Sequence, residues 1–378
     1  MVGGWAEYIK PFVQLCDDRA ANAKKWQEEN RGGVMGYVCN YIPEEIIIAA
    51  GFLPYRLTSK IMPIEEADAY LFNFYCSLAR ICFEMGLKGE FEFLEGVIFT
   101  YSCDTMRGLF DIWKENIKHR FPYFLVSPVQ DSPEAEEYFN HELQELLASL
   151  TKLTGKKITR SELQAAIIQC NENKRLLQRI DALRTGEHPL ISGAEFHQIV
   201  MSGLVSPKAR HNQLLTELQT GLPAQRPELE SRPWVIVSGS GLDNVDLLRL
   251  IESSGILVAA DDLCFGSRYF DTLVEETGDP VEAIARRYLR KGHCPCRFAM
   301  NQDYRGVVAK FKKLNLNGFI FATQKFCELS LYEYPVFKEE MEKAGFPILF
   351  LEVENTPGGV EALRTRVQAF AEILGAGN

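Results

Sequence analysis

Seven cysteines, Cys39, Cys76, Cys103, Cys264, Cys294, Cys296 and Cys327, stand at local breaks where hydrophobic runs end or helix-like runs begin. A structural zinc knuckle gathers its thiolates at short spacings such as C-x2-C, and none of the chain's 10 cysteines is so paired. These seven are mostly far apart and have to converge through the fold, as functional groups do at the strand ends of open α/β sheets. Thiolates are soft ligands suited to iron–sulfur clusters, so several on opposed strand ends point to a buried iron–sulfur site. Cys16, Cys82 and Cys170 lack such a setting and read as small buried hydrophobes.

Other chemistry is less well supported. His293 adjoins Cys294, but sequence neighbours seldom form a Cys-His dyad. Asp261 and Asp262 could be catalytic, yet they equally suit a helix N-cap after a strand. Glu44 and Glu45, beside Pro43, have a helix-capping role that needs no chemistry. The run Val237-Ser238-Gly239-Ser240-Gly241-Leu242-Asp243-Asn244 could hold phosphate on backbone N–H groups. Asn244 replaces the third glycine of a dinucleotide fingerprint, which favours a plain tight turn over NAD. No G-x-x-x-x-G-K-[ST] loop is present, so P-loop ATP hydrolysis would have to be supplied by another protein.

The positioning elements read as α/β. Val34–Cys39 and Gly96–Tyr101 are strand-like and lead into helices at Ile46–Ala50 and Thr105–Lys118, the latter with an apolar face at Met106, Leu109, Phe110 and Trp113. Tyr123–Val126 reads as the next strand. From Glu134 to Leu218 the texture is long, charged and helix-periodic. After the Pro-rich stretch around Pro223 and Pro227, strands return at Trp234–Val237, Ile256–Ala259, Gly318–Ala322 and Ile348–Leu351.

Gly96-Val97-Ile98-Phe99-Thr100 and Gly318-Phe319-Ile320-Phe321-Ala322 echo one another, and each precedes a cysteine and a helix. The expected architecture is two related Rossmann-like domains with mostly parallel sheets, residues 1–133 and 228–378, joined by a helical connector at 134–227. The site is expected in the cleft between them.

Composition narrows the class. The 378 residues are 24% charged and 46% hydrophobic, close to the globular average, with no low-complexity run. A net charge of −10 argues against nucleic acid, which rewards basic patches. No secretory leader pattern opens the sequence and no stretch reaches the roughly 18 apolar residues of a membrane span, so a cytoplasmic protein is expected. In that reducing compartment the cysteines are metal ligands, redox thiols or plain buried residues rather than a disulfide framework.

Gly36-Tyr37-Val38-Cys39 with Pro43-Glu44-Glu45 and Ala49-Ala50-Gly51, Tyr75-Cys76-Ser77-Leu78-Ala79-Arg80, Ser102-Cys103-Asp104, Asp261-Asp262-Leu263-Cys264-Phe265-Gly266-Ser267-Arg268, Phe326-Cys327 and Arg364-Thr365-Arg366 together resemble the benzoyl-CoA reductase and 2-hydroxyacyl-CoA dehydratase family. The match spans nearly the whole chain. The resemblance implies an oxygen-sensitive core subunit that receives single low-potential electrons from a separate ATP-hydrolysing iron–sulfur activator. It also implies a homologous sister subunit or homodimer, and a CoA-thioester substrate. In the dehydratases, cysteines matching Cys39, Cys76 and Cys327 hold a [4Fe-4S] cluster.

The double-cubane cluster proteins, a third branch, use six cysteines for an [8Fe-9S] cluster and reduce small molecules. Six candidates match that count: Cys39, Cys76, Cys103, Cys264, Cys327 and one of Cys294 and Cys296, of which the family pattern favours Cys294. Six exceed the four thiolates that saturate one [4Fe-4S] cluster. A non-catalytic electron-relay subunit is the alternative outside enzyme chemistry.

Overall fold

The computed structural model describes residues 5–185, 188–292, 294–297, 308, 312–314 and 316–375, so His293 lies outside the described residues. Two helices, α1 (Trp5–Asp17) and α2 (Arg19–Asn30), precede the first sheet. That sheet is built from β1 (Val34–Tyr37), α3 (Glu44–Ala49), β2 (Leu53–Arg56), α4 (Ser77–Leu87), β3 (Gly96–Thr100), α5 (Asp104–Asn116) and β4 (Phe121–Leu125). A helical layer follows with α6 (Pro133–Thr154), α7 (Arg160–Asp181), α8 (Gly193–Leu204) and α9 (Lys208–Gly221). The second sheet comes after α10 (Pro227–Glu230): β5 (Trp234–Gly239), α11 (Asp246–Ser253), β6 (Leu257–Asp262), α12 (Ser267–Phe270), α13 (Pro280–Arg290), β7 (Gly318–Gln324), α14 (Glu328–Lys343), β8 (Ile348–Val353) and α15 (Arg364–Ile373).

Both sheets are four-stranded and entirely parallel, with the same order, β2-β1-β3-β4 and β6-β5-β7-β8. The two echoing segments, β3 and β7, occupy the same place in their sheets. Strand faces alternate as a doubly covered sheet requires. Val97 and Phe99 pack with Leu109 and Trp113 of α5 on one face, while Met35 and Ile98 pack on the other with Leu146, Ile167 and Ile284 of α6, α7 and α13. In the second sheet Val235, Val237 and Ile320 face α11 and α15, and Ile236, Phe319 and Phe321 face Phe337 and Met341 of α14. The helix α13, late in sequence, thus covers a face of the first sheet.

Several expectations need adjustment. The first strand stops at Tyr37, because Cys39 enters a turn in which the Ile42 N–H donates to the Cys39 carbonyl at 3.1 Å. The strand β2, which carries Pro54, has no counterpart in the sequence pattern; it lies at the sheet edge, where a missing N–H costs little. Glu44 and Glu45 are not helix caps. Pro43 occupies the N-cap position without a side-chain cap, and both glutamates are buried in ion pairs.

Glu44 accepts from Lys208 Nζ at 2.9 Å, from the Tyr269 hydroxyl at 2.7 Å and from the Tyr37 hydroxyl at 2.5 Å. Glu45 accepts from Lys174 Nζ at 2.7 Å and from the Tyr288 hydroxyl at 2.8 Å. This polar centre joins the first sheet, the helical layer and the segment after β6. Burial removes water from these groups, so every carboxylate oxygen has to find a protein donor, and each does. Among the described residues no helix is long and apolar enough to cross a membrane.

Candidate functional site

Strand order reverses at β1 and β3 in the first sheet and at β5 and β7 in the second, the positions where open parallel sheets bind ligands at their carboxyl ends. Cys39 follows β1, Cys103 follows β3, Cys264 follows β6 and Cys327 follows β7. Cys76, Cys103 and Cys327 are the N-cap residues of α4, α5 and α14. A sulfur at a helix N-terminus meets unpaired N–H groups and the positive end of the helix dipole, both of which favour a thiolate. Cys294 and Cys296 follow α13, where the Arg297 N–H closes a turn onto the Cys294 carbonyl at 2.9 Å.

The seven thiols interact as one set. All ten cysteines are free of disulfides. Burial pushes Cys76 far up and Cys103 to about 12, and each is raised further by the Cys327 sulfur, with Cys103 also acting on Cys76 and Cys39 on Cys103. Burial lifts Cys264 to about 11, with Cys294 and Cys39 adding to the rise. Cys296 donates to the sulfur of Cys294, which holds Cys294 well below the usual thiol range despite its burial, and Arg268 and Lys291 act in the same direction. That contact pushes Cys296 up, as do burial and the Cys39 and Cys103 sulfurs. Two groups emerge, Cys39–Cys264–Cys294–Cys296 and Cys76–Cys103–Cys327, linked through Cys103. Cys16, Cys82 and Cys170 stand elsewhere: Cys82 and Cys170 are buried in helices, and Cys16 donates to the Gln198 carbonyl at 3.5 Å.

Interlocking loops hold the two sheets in place behind the thiols. The Ser59 hydroxyl donates to Asp243 Oδ1 at 3.0 Å, and Asn355 Nδ2 donates to Ser59 Oγ at 2.6 Å and to Asp243 Oδ1 at 2.8 Å. Ser77, next to Cys76, donates to Gln324 Oε1 and accepts from the Asn355 N–H at 3.4 Å. The glycine-rich loop after β5 therefore serves this lock. At Gly239, φ is +140° and an added Cβ would lie 1.8 Å from the Ala322 carbonyl oxygen, so only glycine lets β5 and β7 approach there. Asp261 and Asp262 are structural. Asp261 accepts from the Ser267 N–H at 2.7 Å, the helix-start role, and pairs with Arg184, while Asp262 holds Arg268 through two contacts of 2.7 Å.

Sequence reading missed the residues beside Cys39. Asn40 Nδ2 donates to the Cys264 carbonyl at 2.6 Å, its Oδ1 accepts from Arg56 Nη1 at 3.0 Å, and its carbonyl accepts from Lys291 Nζ at 3.1 Å. Arg56 is 3% and Lys291 8% exposed, and among the described residues neither pairs with a carboxylate. Burial draws Lys291 down to about 8, with Arg287 adding and Cys294, Cys39 and the Asp271 carboxylate opposing. Lys291 and Arg297 lie over the Tyr41 ring at 4.4 and 3.6 Å. Only the adjacency of Asn40 to Cys39 was legible as a signal.

The donor chemistry fits an iron–sulfur cofactor. Thiols become strong ligands once a metal displaces their protons, and two buried cations, Arg56 and Lys291, which among the described residues make no direct ion pair with a carboxylate, suit a negatively charged group beside them. Among the described residues no three His, Cys, Asp or Glu side chains are gathered closely enough to hold a single metal ion. A cluster, whose thiolates sit on different irons, asks for a wider set than one ion does.

The chain is 26% identical over 373 residues to the (R)-phenyllactyl-CoA dehydratase beta subunit of Clostridium sporogenes, covering 97% of this chain and 99% of that protein. It is 27% identical over 361 residues to one of the subunits of the benzoyl-CoA reductase of Thauera aromatica, covering 93% and 94% of the two chains. It is 26% identical over 375 residues to the (R)-2-hydroxyglutaryl-CoA dehydratase beta subunit of Acidaminococcus fermentans, covering 97% and 98%. Residues 39–374, from the first thiol of the set to the end of the last helix, match the family model described as 2-hydroxyglutaryl-CoA dehydratase, D-component, and the chain belongs to that family.

Proposed function

We propose that this chain is the iron–sulfur subunit of a low-potential CoA-ester dehydratase or reductase, working with a homologous sister subunit and a separate ATP-hydrolysing activator in the cytoplasm. The observation that carries the reading is a set of seven free thiols that act on one another, four of them following strands of the two parallel sheets, one at the start of α4 and two after α13. The relatives' names supply the substrate class, since each acts on a CoA thioester. When bound, the cofactor would supply one-electron reduction at very low potential.

The chain's own residues do the rest. Cys39, Cys76, Cys103, Cys264, Cys294 and Cys327 would hold the metal, and Cys296 would donate to Cys294 as an accompanying thiol. The Ser59–Asp243–Asn355 lock fixes the separation of the two sheets.

A second reading is favoured by the thiol number. Six ligands exceed the need of one [4Fe-4S] cluster and suit the [8Fe-9S] double cubane, whose carriers reduce small molecules as homodimers. Iron and acid-labile sulfide analysis of the chain purified anaerobically, with EPR, separates the readings. About eight irons favour the double cubane and about four a single cluster, while none after reconstitution overturns the assignment. Turnover of a CoA thioester by the activated protein, against turnover of small oxidants, then fixes the substrate class. Activity that appears only when a sister subunit is added would mark an electron relay.

A further inference from the structure

We propose that Asn40, Arg56 and Lys291 form a cationic clamp that makes the Cys39–Cys264–Cys294 side of the thiol set accept an added electron before the Cys76–Cys103–Cys327 side. The inference rests on the six-thiolate reading above.

Asn40 organises the clamp. One side chain and one carbonyl bring Arg56 and Lys291 to the residue after Cys39, and Asn40 Nδ2 fixes the Cys264 main chain at 2.6 Å. Arg56 is held further by the rings of Phe265 at 4.8 Å and Tyr37 at 5.4 Å. These rings are weak partners for a cation compared with a carboxylate, so most of the charge remains uncompensated in a buried setting. Arg268 also lies near Cys264 and Cys294, but its two-point contact with Asp262 largely cancels it.

The other side is different. Cys76, Cys103 and Cys327 face three helix N-termini, each worth about half a positive charge. Asp104 and Glu328 stand in the first turns of α5 and α14, and the Asp243 carboxyl acts on Cys76. Three acids, Asp104, Glu328 and Asp243, thus oppose the three partial positive charges there, whereas among the described residues the clamp side sets two buried cations against one acid, Asp271, which acts on Lys291. Net charge and hydrogen bonding around a cluster set its potential, so the side with surplus positive charge is the easier to reduce.

The step is a single electron transfer: one ferric iron becomes ferrous, the electron comes from a strong one-electron reductant such as Ti(III), and no bond forms or breaks. The test is an EPR-monitored potentiometric titration of the iron-loaded protein with iron content measured in parallel. Lys291→Gln keeps a donor for the Asn40 carbonyl while removing the charge. It should make the first reduction at least tenfold less favourable, a shift of about 59 mV to more negative potential.

Lys291→Arg should restore the first midpoint, and Ser330→Ala, beside Cys327 at 3.6 Å, should leave it in place. If Lys291→Gln does not retain iron, Arg56→Gln carries the same expectation. A fully loaded charge-removing variant with an unchanged first midpoint overturns the clamp, as does an equal shift in Ser330→Ala. Wild-type protein with only about four irons would instead remove the six-thiolate reading, and the clamp with it.

Discussion

Replacing Lys174 by methionine should be among the most destabilising single changes in the molecule. Lys174 Nζ and Glu45 Oε1 are 2.7 Å apart, and both side chains are 0% exposed. Burial alone would raise the Glu45 carboxyl, but Lys174 and Arg287 overcome it and hold the group at about 2, against 4.5 for the free side chain. That depression corresponds to about 3 kcal/mol of folding free energy. Because the folded-state value lies below the unfolded one, this stability is fully present above about pH 4.5 and is lost as pH falls toward about 2.

Lys174→Met removes the partner and leaves a buried carboxyl with only the Tyr288 hydroxyl and more distant Arg287, a loss expected at about 3–5 kcal/mol. Glu45→Gln with Lys174→Met leaves no buried charge in the pair and should recover part of it. Urea unfolding of the wild type, both single variants and the double variant at pH 7 measures the coupling from midpoints at constant slope. At pH 3 the gap between wild type and Lys174→Met should narrow by about 2 kcal/mol, because Glu45 is then protonated in the unfolded chain while the folded pair stays mostly ionised. Costs that simply add within about 0.5 kcal/mol, or a gap that does not change with pH, would refute the account.

Cys170→Ala should keep full iron content, whereas serine at Cys39, Cys76, Cys264 or Cys327 should lower it; iron and sulfide analysis of anaerobically prepared variants checks this. Phe326, next to Cys327, has φ of +65°, a left-handed conformation that asparagine tolerates and β-branched residues do not. Phe326→Val should therefore be about 1–3 kcal/mol less stable than Phe326→Asn in urea unfolding and should also lose iron more readily. Gly239→Ala should disrupt the pairing of β5 with β7 and cost more than about 4 kcal/mol, visible as loss of soluble protein or an early unfolding transition.

The strands around the site were legible because buried parallel strands are continuous apolar runs, and the echo between β3 and β7 marked equivalent positions in two sheets of identical order. The thiols were legible because each interrupts a regular element. What could not be read depends on partners far along the chain. Glu44 and Glu45 satisfy every local rule for a helix start, so nothing nearby announces that their partners are Lys208 and Lys174, 164 and 129 residues away. Lys291 follows Arg290 at the end of α13, where basic residues suit the helix dipole, and its contact with Asn40 spans 251 residues. The edge strand β2 was hidden by Pro54, which argues against a central strand and says nothing against an edge one.

The repeated topology also explains why the site is asymmetric. Four equivalent strand ends are available where the order reverses: those of β1, β3, β5 and β7. Three of them lead to thiols, Cys39, Cys103 and Cys327. The fourth, after β5, leads instead through Gly239 to Asp243, whose carboxylate takes the Ser59 and Asn355 hydrogen bonds that lock the sheets together. Of the other thiols, Cys264 follows the edge strand β6 as Cys76 follows its counterpart β2, whereas Cys294 comes after α13, the helix that packs on the opposite sheet. Lys291, on the segment that carries the thiols after α13, reaches the Asn40 carbonyl, and Asn40 also holds Arg56. The loop given up to the lock thus goes with a thiol supplied from beyond α13, on the same segment that brings Lys291 to Asn40.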